Sequence, residues 1–123
     1  MNTRKDHRKH RRFQARKGVF VGVGPHDIQV GRLRDVSMGG LGFRYIGNGE
    51  PLKGTHHVDI FMAEGDLYLS RVPVNTVSDI EVVGKAPSAV TTMKRCCLKF
   101  KKLTDEQRAK LNEFIENYTV GEA

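Results

Sequence analysis

The sequence predicts a mainly β protein: a small six-stranded antiparallel β-barrel with a C-terminal α-helix and a flexible basic N-terminal arm. Three observations predict it. Short segments of alternating apolar residues, separated by turn residues, recur from Gly18 onward, the pattern of a small antiparallel barrel. A helix start and an apolar stripe at helical spacing come after them. The net charge lies ahead of them. The chain of 123 residues fits one domain. The expected organisation is an arm over residues 1–17 and a barrel with its helix over residues 18–120.

The elements follow in order. Val19–Val23 is apolar with glycine and ends in a turn at Gly24-Pro25-His26-Asp27. Ile28–Val36 alternates, with one slip read as a bulge. Ser37–Gly40 is the next turn, Leu41–Ile46 the third strand, and Gly47-Asn48-Gly49 ends it. Val58–Met62 and Tyr68–Ile80 are the fourth and fifth strands. Pro73 puts part of the fifth at an edge or bulge, because proline cannot donate to a ladder. Gly84–Ser88 is a loop, and Thr91–Leu103 is the sixth strand. Thr104 with Gln107 spells a capping box, and Asp105 and Glu106 suit the positive end of a helix dipole. Leu111, Phe114, Ile115 and Tyr118 form one stripe that packs the helix on the barrel.

Charge separates the arm from the body. Residues 1–17 carry eight basic side chains against Asp6 alone, which accounts for the whole net charge of +7. Residues 18–123 carry 13 basic and 13 acidic side chains, so no basic face is expected on the barrel. In a helix, Arg4, Arg8, Arg12 and Arg16 would form a like-charge stripe, unfavourable by ~0.2–0.5 kcal/mol per pair. The arm is therefore expected to be disordered alone and to order on a polyanion. Nucleic acid, a membrane surface and a phosphorylated ligand all fit a cationic arm on a neutral body.

Two short motifs carry the chemistry. Arg12-Phe13-Gln14-Ala15-Arg16 ends the arm, and Asp35-Val36-Ser37-Met38-Gly39-Gly40 spans a turn between strands. A guanidinium fork matches a phosphate, and it matches the O6/N7 edge of guanine equally well. The Asp35 carboxylate accepts hydrogen bonds and suits guanine N1–H and N2–H. Ser37 can bond a phosphate or hold the turn, and Gly39 and Gly40 let a ligand approach the backbone. Bland alternatives stand beside these roles: the arm as a solvated tail, and Asp35 and Ser37 as turn caps.

Both motifs, in this order on a barrel-like pattern, resemble the paired signatures of PilZ domains, bacterial receptors for cyclic di-GMP. The resemblance extends over nearly the whole chain, including an ending, Cys97-Leu98-Lys99-Phe100, that is similar to the family's closing strand. It implies a non-catalytic, cytoplasmic receptor that orders its arm to alter contact with a downstream protein partner. Outputs linked to the family are motility, biofilm-related exopolysaccharide production and virulence. The implied ligand set is Arg11, Arg12, Arg16, Asp35, Ser37, Gly39 and Gly40, with Arg12 and Arg16 as the clamp. Arg11 enters through a family tendency to bind a stacked ligand dimer. Arg8-x-x-x-Arg12 fits the same spelling; Arg12 and Arg16 are preferred because Arg16 adjoins the first strand and Phe13 can pack on the barrel.

Other classes find less support. No apolar stretch is long enough to span a bilayer, and no secretory signal opens the chain. Cys96 and Cys97 are adjacent and point to opposite faces of a strand, so no disulfide framework is implied and a reducing cytoplasm is expected. His7, His10, His56 and His57 lack metal-ligand spacing, so neither a metal nor a cofactor is expected. No acid–base pair or metal cluster supports an enzyme such as a phosphodiesterase. A nucleic-acid-binding module using the arginine arm is the main alternative function.

Overall fold

The computed structural model describes residues 10–24, 29–47, 55–64, 67–82 and 92–123. The expected turns beyond Gly24 and Gly47, the Gly84–Ser88 loop, and Arg4, His7, Arg8 and Lys9 of the arm lie outside these residues. Eight strands and one helix follow in the order β1 (Phe13–Ala15), β2 (Val19–Gly24), β3 (Gln29–Val36), β4 (Gly40–Gly47), β5 (Thr55–Met62), β6 (Leu67–Glu81), β7 (Thr92–Phe100), α1 (Asp105–Asn117) and β8 (Thr119–Glu122).

All pairings are antiparallel, and β2-β5-β6-β7-β4-β3 close into a ring through a further β2–β3 pairing. This is the expected six-stranded barrel. Alternation drives it: Val19, Val21 and Val23 face inward from β2, as do Leu41, Phe43 and Tyr45 from β4. The slip read in the second strand is a register shift between Leu33 and Asp35. Pro73 lies within β6, opposite His57 of β5. On its other side the β7 ladder starts one residue later, at Val74, so its missing N–H breaks no bond to β7. One polar group is built into the wall: Tyr45 donates to the Asp79 carboxylate at 2.6 Å, with the buried Lys94 ammonium at 3.8 Å.

Thr104 caps α1 as its sequence predicts. Its Oγ1 accepts from Gln107 N–H at 3.0 Å, and Gln107 Oε1 accepts from Thr104 N–H at 3.1 Å. Leu111 and Phe114 are buried, and Phe114 packs against Tyr68 and Tyr118 at ring-centroid distances of 5.4 Å.

Two short strands add to the expected six. β1 lies inside the segment read as the arm. It pairs with the last residues of β3, Phe13 opposite Val36 and Gln14 opposite Asp35. On its other side it pairs with β8. Gly18, at φ +87°, turns the chain from β1 into β2. The chain therefore leaves the helix and returns to the strand that carries Arg12 and Arg16 at its flanks.

Candidate functional site

The Ser37–Gly40 turn forms the floor. Ser37 N–H donates to the Gly40 carbonyl at 2.8 Å, and Ser37 Oγ accepts from Gly39 N–H at 3.0 Å and Gly40 N–H at 3.2 Å. Ser37 is buried, so its hydroxyl holds the turn, the second of the two roles the sequence left open. At Gly40 a side chain is excluded: a Cβ would fall on the Leu98 carbonyl of β7. At Gly39 a Cβ would meet the His10 ring at 2.8 Å, so His10 lies over the turn.

Above the turn, β1 and β3 bring the two motifs together. Arg12 Nη1 donates to Asp35 Oδ1 at 2.6 Å, with each side chain about one-fifth exposed at 19% and 18%. Gly42, opposite Asp35 on β4, leaves room for that carboxylate: a Cβ there would stand 3.1 Å from Oδ1. Arg16 is held from the helix end, its N–H donating to the Tyr118 carbonyl at 3.0 Å and its guanidinium lying 5.9 Å from the Tyr118 ring centre. Arg11 turns to β8, with its Nε 3.1 Å from Glu122 Oε2.

The ion pair joins two clefts. One, about 400 Å³, is lined by Gln14, Arg16, Lys17, Arg32, Arg34 and Asp35 among others. The second, about 540 Å³, is lined by His10, Arg12, Ser37, Met38 and Gly39 from the motif side. Its far wall is Lys99, Phe100, Lys101, Lys102 and Arg108, from the end of β7 and the start of α1. The expectation that the barrel offers no basic face is corrected here. A net count of zero averages over the surface, whereas the β7–α1 connection gathers four cations beside Arg12. The Lys-x-Lys-Lys spelling at Lys99, Lys101 and Lys102 was the available signal; Arg108 had none. Among the described residues no group of His, Cys, Asp or Glu could hold a metal, and no helix is long and apolar enough to cross a membrane.

A closed six-stranded antiparallel barrel, one C-terminal helix, and an arginine strand laid against a D-x-S-x-x-G turn define a class of small β domain. The chain belongs to the PilZ domain family, whose sequence profile matches residues 3–117. Among solved structures it is similar to the PilZ domain with c-di-GMP of YcgR from Escherichia coli, with a TM-score of 0.68, 18% identity and 92% of each chain covered. It is also similar to YcgR of Escherichia coli in complex with c-di-GMP, with a TM-score of 0.61 and 18% identity over 90% of this chain and 45% of that one. A third likeness is to the Bacillus subtilis inhibitor of motility MotI/DgrA, with a TM-score of 0.61 and 13% identity over 94% of this chain and 55% of that one. The chain thus spans about half the length of the latter two chains. At these identities the likeness is one of fold. No curated protein sequence matches the chain.

Proposed function

We propose that the chain is a non-catalytic receptor for cyclic di-GMP. The observation that carries this reading is the Arg12–Asp35 pair at 2.6 Å over the Ser37–Gly40 turn, with Arg16 and Asp35 in one cleft and Arg12 and Ser37 in the next. The pair is chemically complementary to guanine. Its donor half matches O6 and N7, and its acceptor half matches N1–H and N2–H. Cyclic di-GMP carries two guanines and two phosphates, so the remaining forks and lysines have anions to hold. Membership of the PilZ family and the likeness to two c-di-GMP-bound YcgR structures support the same ligand.

In this mechanism Arg12 and Arg16 clamp phosphate and guanine, Asp35 reads a guanine edge, and Ser37 with Gly39 and Gly40 keeps the floor in shape. Binding separates Arg12 from Asp35 only to give each a charge-assisted replacement. Arg11 can join a second ligand copy by releasing Glu122, an exposed pair of the kind worth ~0–1 kcal/mol. Signalling follows from the arm: the dianion offsets part of its +7 charge and draws the residues ahead of β1 over the turn, giving a downstream protein a new surface to read.

The cationic second cleft also gives nucleic-acid binding a surface that the charge count hides. Salt separates the two readings. Multi-phosphate binding falls steeply between low and physiological salt, whereas a pocket with guanine contacts keeps much of its affinity. Calorimetric titration of cyclic di-GMP at physiological salt, with GTP and single-stranded RNA as controls, is expected to show saturable binding for cyclic di-GMP alone. Binding of RNA with no heat from cyclic di-GMP would refute the receptor reading.

A further inference from the structure

Cross-strand register builds a belt on the outside of the barrel. Arg32 lies opposite Arg44, Arg44 opposite Arg95, and Arg95 opposite Ile80. In the other direction Arg32 lies opposite Phe20, whose ring stacks on Phe61 with centroids 6.0 Å apart. The neighbouring row on the same face is aliphatic: Val30, Ile46, Met93 and Val82, each between 36% and 62% exposed. Ile46 opposes Met93, and Val82 N–H donates to the Met93 carbonyl at 2.9 Å, so these side chains adjoin.

Two features of this face run against sheet stability. Like charges directly opposite one another on neighbouring strands are destabilising. Yet three guanidiniums stand in line, and none forms an ion pair with another described residue. A row of large aliphatic side chains is left in water beside them. One kind of occupant relieves both: apolar groups over the row and carboxylates over the arginines, each of which can be held bidentately. The composition is that of protein interfaces, where arginine, methionine and aromatic residues are enriched and lysine is depleted. A second copy in two-fold contact about an axis across the rows would set arginine row against arginine row, and about any axis it brings no carboxylates from these two rows to the arginines.

We propose that this face docks a partner protein through a segment of aliphatic anchors flanked by aspartate or glutamate. The surface borders the candidate ligand site, since Arg32 lines the same cleft as Arg16 and Asp35, but the proposal does not depend on the nucleotide reading.

The test is a display library of 15-residue peptides selected on the full chain. Recovered peptides are then measured on Arg44→Glu, Ile46→Ser and, as a control on β8, Val120→Ser. Thermal melts confirm that each variant folds. Selected peptides are expected to combine aliphatic with acidic residues and to bind Arg44→Glu and Ile46→Ser at least ~10-fold more weakly than wild type, with Val120→Ser unchanged. No enrichment, enriched peptides without acidic residues, or equal binding to all variants overturns the proposal. Binding of phosphatidylglycerol vesicles that is lost in Arg44→Glu, without peptide binding, assigns the face to lipid and also overturns it. So does self-association that is lost in Ile46→Ser.

Discussion

Ser37 and Asp35 are two residues apart, yet truncating them has opposite consequences. The Ser37 hydroxyl is buried and holds two backbone N–H groups. Ser37→Ala leaves both donors short of a partner and is expected to lower stability by about 1–3 kcal/mol, read as a shifted denaturant midpoint. Asp35 holds only a partly exposed arginine, and Asp35→Ala is expected to change stability by less than ~1 kcal/mol. Under the proposed function its cost is expected to fall on cyclic di-GMP affinity instead. The sequence named both residues because the turn is spelled locally, within six positions. It could not divide their roles, because the division depends on β1 placing Arg12 against Asp35. A third residue, Cys96, shows the same dependence on context. Burial foremost, with Asp79 adding to it, pushes its thiol up to about 12, while Cys97 is partly exposed. Thiolate is the reactive form, so a disulfide reagent at neutral pH is expected to modify Cys97 and leave Cys96 intact until the protein is denatured.

The helix illustrates what short-range signals specify well. Capping box, first-turn acids and apolar stripe all lie within 15 residues, and the observed α1 starts where they predict, at Asp105 after the Thr104 cap. Thr104→Ala removes the bond to Gln107 N–H and is expected to cost about 1 kcal/mol, seen as a lower Tm. β1 and β8 illustrate the reverse. Strands of three and four residues are too short for a period of two to register. They exist because each completes the other against the exposed edge of β3. The cationic cleft was hidden for a similar reason: Lys99, Lys101, Lys102 and Arg108 come from two elements and converge only once α1 folds back on the barrel.

Alkaline pH tests the barrel as a whole. Burial, with Glu113 second, raises the Tyr68 phenol from 10.0 to about 12. Tyr45 is raised as well, by burial and then by its hydrogen bond to Asp79, and Cys96 rises from 9.0 to about 12. In each case the folded state favours the protonated form. The associated stability is complete below the unfolded values and is lost as pH rises through the folded ones. Melts are therefore expected to lose stability progressively from about pH 9 towards about 12, with a shallower decline in Tyr68→Phe. The proposed function rests on one juxtaposition, Arg12 and Arg16 at the ends of β1 brought to Asp35 near the end of β3. The most direct test compares cyclic di-GMP binding to the wild type, Arg16→Ala and Asp35→Ala by calorimetry at physiological salt. The account predicts saturable binding to the wild type and losses of ~30-fold or more in each variant, as for truncating one side of a hydrogen-bonded charged contact. Unchanged affinity in both variants would contradict it.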